Sequence, residues 1–404
     1  MNIGLGYSCQ ACSLQAGQEA ANLASHLLQQ PELILAFCNH HLNPHDVYLG
    51  IRAVLGEQVP IIGGSAIGII GNDFALTDGP AVVVAALRSE QLRCHYASSK
   101  ALFKDPRLTG MALGNQLAKV ADPGCLVLLY DSIKHPASKQ TPAVLNPSNL
   151  LLQGLAESQL TVPTVMGAGL LGDYQFQSCW QFTGFEVSQQ QALGLLLTGP
   201  LQSHTTVLHG CRPVSDTEYT ISSIHGQFLY ALNNLPAVQV IDQALGNTEW
   251  RQSAPVRNLC LGRRLSEPGS EQPQYINRLI SGLLPEQDGL ILFEDDYQPG
   301  DKVLLMQRQS ATSTDRAQGQ IKALLTDIQQ NGQTPLFALY INCAGRAEQG
   351  QLDEQAETRE IQRQLTAAGI PLLGLYTGVE IAPIMGQPRG LDWSGVLTII
   401  CRAH

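Results

Sequence analysis

IPLLGLYTGVEIAPI, residues Ile370–Ile384, is the stretch on which the fold turns. It is apolar and β-branched enough for a buried strand, yet it carries Tyr376, Thr377 and the carboxylate of Glu380. An unpaired carboxylate costs roughly several kcal/mol to bury, so a partner is expected close by. Two other stretches begin alike: VPIIGGSAIGII at Val59–Ile70 and VPTVMGAGLLG at Val162–Gly172. Each places a proline three or four residues before a glycine, at Pro60/Gly63, Pro163/Gly167 and Pro371/Gly374.

Outward from these stretches, the apolar period switches repeatedly between 3.6 and 2, the mark of an α/β chain. The first passage predicts a helix over Ser13–Gln30, with Ala16, Ala20, Leu23 and Leu27 on one face. A buried strand at PELILAFC, a helix over Asp46–Gly56, the strand PIIGGSAIGII and the strands GPAVVVAAL and LRCHYAS follow. The order recurs with a helix over Met111–Val120, CLVLLYDS, a helix over Asn149–Gln159, VPTVMGAGLLG, FQSCWQFTGFEV and ALGLLLTG. A third passage has LFALYIN, a helix over Glu354–Ala368 ended by Gly369, IPLLGLYTG and the closing strand SGVLTIIC. In that helix Ile361, Leu365 and Ala368 face one side, and charged residues cover the other. The recurring order is the signature of an internal repeat. The fold class expected is α/β: two domains with mixed sheets, built from repeated strand–helix–strand units with antiparallel return strands. A less regular region holds strands at RNLCLGRRL, DGLILFEDD and KVLLMQRQ, a polar loop around Glu267–Gln274 and a helix over Arg316–Gln330. The domain boundary is placed at Asn233–Asn234, giving domains 1–233 and 234–404.

At 404 residues the chain is long enough for two cores, and only 14% of it is charged against 44% hydrophobic. A formal net charge of −10 argues against nucleic acid as a partner. No apolar run approaches the roughly 18 residues of a membrane span. The N-terminus lacks the pattern of an export signal, so the expected location is cytoplasmic. Ten cysteines without a repeated spacing read as mostly buried, reduced thiols.

Several motifs invite a chemical reading. GAGLLG at Gly167–Gly172 has dinucleotide-fingerprint spacing, but a strand pattern follows where a helix must open, so that reading is rejected. GGSAIG around Ser65 falls one glycine short of a nucleophile elbow and leaves Ser65 at a strand end. CQAC at Cys9–Cys12 has no second pair at zinc spacing. NHHLNPHD offers His40, His41 and His45 between a strand and a helix, as candidate haem ligands or as a solvated loop. NCAGRA at Asn342–Ala347 runs from a buried strand into a loop with a thiol, a glycine and a guanidinium. Arg346 suits bidentate contact with a carboxylate, and neighbouring strand ends would bring it to Glu380. The pair reads either as a structural ion pair or as part of a ligand site, and Ser65 either as a plain turn serine or as a pocket residue. The ligand-binding candidates are Asn342, Cys343, Arg346, Tyr376 and Glu380, with Ser65.

Taken together, these stretches resemble the FIST family, the F-box and intracellular signal transduction proteins, over nearly the whole chain. LILAFC with PIIGGSAIGII resembles its N-terminal half, and HGCRPVSDTEYTIS with LYALNNLPAVQVID its junction. LYINCAGRA and PLLGLYTGVEIAP resemble the C-terminal half, with its Cys-x-x-Arg loop and Gly-x-Glu-Ile strand. The family often has Cys–Ser–Thr where this chain reads Gly64, Ser65 and Ala66.

The resemblance implies an intracellular small-molecule sensor whose output passes through a separate signalling protein such as a histidine kinase or a cyclase. It also leaves haem open as a cofactor, because some bacterial members are described as haem-binding nitric oxide sensors. Against these stands an enzyme of hydrolase type using Cys343 or Ser65 as nucleophile. No motif sets a base beside either residue.

Overall fold

The computed structural model describes residues 2–89, 93–139, 141, 143–177, 179–252, 256, 259–266, 274–284, 288–308, 313–347 and 352–403. The polar loop expected at Glu267–Gln274 lies outside them, except for Gln274. The chain forms two compact units, one of 1–208, 314–390 and 395–404, the other of 209–313 and 391–394.

In the first unit one order of elements occurs three times. The first is β1 (Asn2–Ser8), α1 (Ser13–Leu27), β2 (Leu33–Asn39), α2 (Pro44–Leu55), β3 (Ile61–Ala66), the hairpin β4 (Gly68–Ile70) and β5 (Ala75–Leu76), then β6 (Val82–Arg88). The second is β7 (Arg93–Ser99), α3 (Pro106–Leu117) and β8 (Pro123–Asp131), the small ribbon β9 (Ile133–His135) and β10 (Val144–Leu145), and α4 (Ser148–Ala156). It continues with β11 (Val165–Leu170), the hairpin β12 (Gln181–Gly184) and β13 (Val187–Ser188), and β14 (Ala192–Thr198). The third begins with β15 (Leu201–Leu208) and resumes after the second unit.

That second unit supplies β16 (Cys211–His225), β17 (Phe228–Leu232), β18 (Leu235–Pro236) and α5 (Ala237–Leu245). It goes on through β19 (Leu259–Arg264), β20 (Tyr275–Leu283), β21 (Leu290–Leu292) and β22 (Lys302–Arg308). The third occurrence then completes itself with α6 (Ser313–Gln330), β23 (Thr334–Cys343) and α7 (Leu352–Ala367). Its last strands are β24 (Leu372–Thr377), the hairpin β25 (Val379–Ile384) and β26 (Gln387–Leu391), and β27 (Gly395–Arg402).

Three six-stranded sheets result, in the orders β1-β6-β2-β3-β12-β13, β7-β14-β8-β11-β25-β26 and β15-β27-β23-β24-β4-β5. The central pair of each is parallel: β2/β3, β8/β11 and β23/β24. The hairpins are exchanged cyclically. That of the first occurrence joins the third sheet, that of the second joins the first, and that of the third joins the second. Central strands covered on both faces must be apolar throughout, and every residue of β2, β3, β11 and β24 is buried. Gly63 and Gly167 sit at one register position, opposite Ala36 and Leu128, with φ of 142° and 154°. A Cβ there would fall 1.9 and 1.8 Å from the facing carbonyl oxygens, so the repeated glycine is a requirement of the fold.

The face of α1 differs from the expected one. Ala16, Ala20, Ala21 and Ala24 are buried, whereas Leu23 and Leu27 are exposed. The helix crosses β1 so closely that a Cβ on Gly4 or Gly6 would meet the carbonyl oxygen of Ala24 or Ala20. Only small side chains fit that contact.

The second unit is a closed antiparallel barrel. β16 pairs with β22 through Cys211–Thr220 and with β17 through Ile221–His225, closing the ring β16-β22-β19-β20-β21-β17. Its core takes Ile221, Leu229, Leu261, Ile280 and Leu305 from the strands and Ala237, Val238, Val240 and Ile241 from α5. Arg278 is buried within a network in which it pairs with Asp296, with Asp392 3.7 Å away. The boundary expected at Asn233–Asn234 falls inside this unit, at the turn from β17 to β18. Both asparagines there have positive φ, as a tight hairpin demands.

Candidate functional site

The parallel pairs bring three strand ends into equivalent positions: Asn39, Asp131 and Cys343, opposite Ala66, Leu170 and Thr377. In the first two, the end residue ties down the loop entering the return strand. Asn39 donates to Gly79 O at 2.7 Å and accepts from Ala81 N at 3.1 Å. Asp131 accepts from Ile133 N and Gln190 N, both at 2.9 Å. Burial pushes its carboxyl up to about 7 against those two hydrogen bonds. The third end departs from this pattern. Cys343 leads into one 3-10 turn, Ala344–Arg346, which carries Arg346 back toward α7.

There the guanidinium is 1% exposed and bonded on two sides. Nη2 meets the Glu357 carboxylate, and Nη1 donates to Leu208 O at 2.9 Å. Tyr340 donates its hydroxyl to Glu357 Oε1 at 3.2 Å. Tyr376 OH lies 3.3 Å from Thr358 Oγ1, and Asn342 is the register partner of Tyr376 across the parallel pair. Burial pulls the Arg346 guanidinium down, but Glu357 and Tyr340 outweigh it and hold it above its ordinary value. Burial, then Glu357, push the Tyr340 phenol well up. Gly395 completes the wall, since a Cβ on it would fall 2.6 Å from Arg346 Nη1 and 2.7 Å from Tyr340 OH. Asn342 Oδ1 is buried without a hydrogen-bond partner among the described residues. A lone buried acceptor of that kind carries a desolvation cost of roughly 1–3 kcal/mol.

The partner found for Arg346 is thus Glu357, in place of the expected Glu380. The reason is the exchanged hairpin. β25 leaves the sheet of β24 and pairs with β11, setting Glu380 opposite Ala168. Side chains alternate between sheet faces. In the second sheet the Gly167–Leu128–Gly194 row faces α3, because a Cβ on Gly194 would meet Leu117 and Leu113. Ala168 and Glu380 therefore face away from the helices. In the third sheet Tyr340, Asn342 and Tyr376 face α7, and Cys343 faces away. Of the six expected residues, the structure brings together Asn342, Arg346 and Tyr376; Cys343 and Glu380 lie on the inward faces of two different sheets.

Ser65 stands in the first sheet, where its Oγ accepts from Trp180 N at 3.0 Å and its N–H donates to Trp180 O at 2.7 Å. The three histidines do not converge. His40 and His41 stack on each other at 4.1 Å, and His45 meets the Trp180 ring edge-on at 4.7 Å. All three are exposed, and no cluster of three metal-binding His, Cys, Asp or Glu occurs among the described residues. Cys9 and Cys12 are exposed at the start of α1. No helix among the described residues is long and apolar enough to cross a membrane.

Sequence reasoning missed Glu357 and Thr358, although a signal was present. They precede Ile361 by four and three residues, so the apolar stripe Ile361–Leu365, continued backwards, passes through both.

The sequence model of the FIST N domain matches residues 32–235, and that of the FIST C domain matches residues 237–383. No curated protein matches the chain. Among solved structures, the cyanuric acid hydrolase of A. caulinodans is similar at 10% identity and a TM-score of 0.27, over 100% of this chain and 99% of that one. T. maritima PurL complexed with FGAR is similar at 8% identity and a TM-score of 0.22, over 99% of this chain and 72% of that one.

Proposed function

The chain belongs to the FIST family, and from that premise we propose that it is a small-ligand sensor whose binding site is the α7-facing end of β23 and β24. The family is associated with signal transduction and small-ligand sensing. The observation that carries the reading is Asn342 Oδ1, a buried acceptor on the register partner of Tyr376, with no partner of its own among the described residues. Buried polar atoms are almost always paired, so an unpaired one marks a place for a ligand group or an ordered water. Arg346 already serves Glu357 and Leu208 O, so it positions the site rather than clasping a carboxylate. The ligand implied is small and brings an N–H or O–H donor to Asn342. A bound ligand would favour one conformational state of the protein, and a separate signalling protein, such as a histidine kinase or a cyclase, would read that state.

Native mass spectrometry of the freshly purified chain, followed by thermal melting with whatever small molecule it retains, tests this. Asn342→Leu removes the acceptor at similar volume and relieves the unpaired atom, so the variant should melt no lower than the parent and lose the ligand-induced shift. A variant that keeps the whole shift refutes Asn342 as a ligand contact.

A further inference from the structure

The CQAC motif, Cys9–Cys12, plays no part in the strand-end site, yet it holds the only two exposed thiols among the ten cysteines. Both lie between β1, which ends at Ser8, and α1, which begins at Ser13. A chain extended over three residues would part their α-carbons by about 10 Å, beyond the roughly 7 Å that a disulfide spans. Here the chain bends at Ala11 and Cys12, which shortens that reach. Both ends of the segment are tied down. Ser8 donates its hydroxyl to Glu19 and accepts from Gln10 N at 3.2 Å, and Cys12 O accepts from Ala16 N at 2.8 Å.

The two thiols stand in unlike places. Cys12 is the N-cap of α1, with φ of −81° and ψ of 113°, the position from which a side chain reaches the open N–H groups of the first turn. The hydroxyl of Ser13 is engaged elsewhere, accepting from Asn43 N at 2.9 Å, and no acidic residue stands in the first turn. A sulfur at the N-cap faces the positive end of the helix, where negative charge is favoured. Cys9 lies three residues before that end. Partial burial, then the Glu19 carboxylate, push its thiol up.

We propose that Cys9 and Cys12 form a thiol–disulfide exchange site for low-molecular-weight disulfides of the glutathione type, with Cys12 attacking and Cys9 resolving. Cys12 Sγ gives its proton to solvent and attacks one sulfur of the disulfide. That S–S bond breaks, and one thiolate leaves and takes up a proton. Cys9 Sγ then loses its proton and attacks Cys12 Sγ of the mixed disulfide, expelling the second thiolate, which is protonated in turn. The two cysteines lose two electrons and two protons, and the incoming disulfide gains both.

The test exposes the full chain to oxidised glutathione, followed by acid quenching, alkylation of the remaining thiols and peptide mass mapping. The parent chain should close a Cys9–Cys12 disulfide, losing two hydrogens and keeping no glutathione. Cys9→Ser should instead hold a stable glutathione adduct on Cys12. Cys12→Ser should form its adduct on Cys9 about 10-fold more slowly. Both positions are exposed and serine is itself a favoured N-cap, so both variants should fold. In denaturing urea the difference in rate should disappear, because α1 supplies it. Equal rates in the folded variants, a difference that survives in urea, or a parent chain that retains glutathione without closing the bridge overturns the proposal.

Discussion

At the scale of single residues, the buried charges carry the sharpest expectations. Arg346→Ala leaves Glu357, only 2% exposed, without its cation and Leu208 O without its donor. Stripping one partner from a buried pair costs about 3–5 kcal/mol. Arg346→Lys keeps the charge but reaches one acceptor where the planar fork reached two, so a loss of about 1–2 kcal/mol is expected. Urea unfolding of the two variants checks the order, and equal losses would mean that the pair's charge is immaterial. Asp131 makes a different prediction. Its folded carboxyl lies at about 7, against roughly 3.9 when unfolded, so the folded chain holds that proton more tightly. The stabilisation is fully present below about pH 4 and is lost as the pH rises through 7, with a ceiling of about 4 kcal/mol. Asp392, also raised to about 7 by burial against Arg278, has the same sign. Stability should therefore increase on acidification from pH 8 to 5, and Asp131→Asn should remove about half of that slope. A slope unchanged in the variant would show that Asp131 does not titrate in this range.

At the scale of elements, the sequence revealed what is local and concealed what is not. Helices α1 to α4, α6 and α7 and the apolar strands announce themselves by period, and the proline–glycine marks at Gly63, Gly167 and Gly374 do fall at one register position. What periodicity cannot carry is the identity of a strand's neighbour. Nothing local in VEIAPI says that it pairs with β11 rather than continuing beside β24, and that choice is what parts Glu380 from Arg346. The candidate site was legible only so far as its residues share one end of the neighbouring strands β23 and β24: Asn342, Arg346 and Tyr376. The barrel stayed hidden because its strands are joined by polar loops and closed by one long strand that changes partners midway. The glycines make the element-scale prediction. Gly63→Ala must place a Cβ against Ala36 O at a φ of 142°, and should cost more than about 3 kcal/mol. Gly319, inside α6, has open space where its Cβ would stand, and Gly319→Ala should stabilise by about 0.5–1 kcal/mol. Chemical unfolding of both checks the contrast; a Gly63→Ala protein as stable as its parent would remove the steric argument for the repeated glycine.

At the scale of the whole molecule, the two family domains meet at residues 235–237, whereas the compact units part at 208/209, 313/314, 390/391 and 394/395. The difference has a physical consequence. Cut at the family boundary, an N-terminal fragment keeps its first sheet entire but loses β25 and β26 from the second. In the third sheet it retains β15, β4 and β5 and loses β27, β23 and β24, which carry the central parallel pair. The C-terminal fragment loses β16 and β17, so the barrel ring is opened and Ile221, Leu229 and Leu232 leave its core. Unpaired edges of this length invite association with other chains rather than independent folding. Residues 1–235 and 236–404 expressed separately should therefore aggregate or unfold without a cooperative transition. Co-expressed, they should recover a soluble one-to-one complex, because every missing strand is then supplied. Gel filtration and urea unfolding of the separate and joined fragments decide it. Either half standing alone as a monomer with a sharp transition would show that the exchanged hairpins are not needed to hold the sheets together.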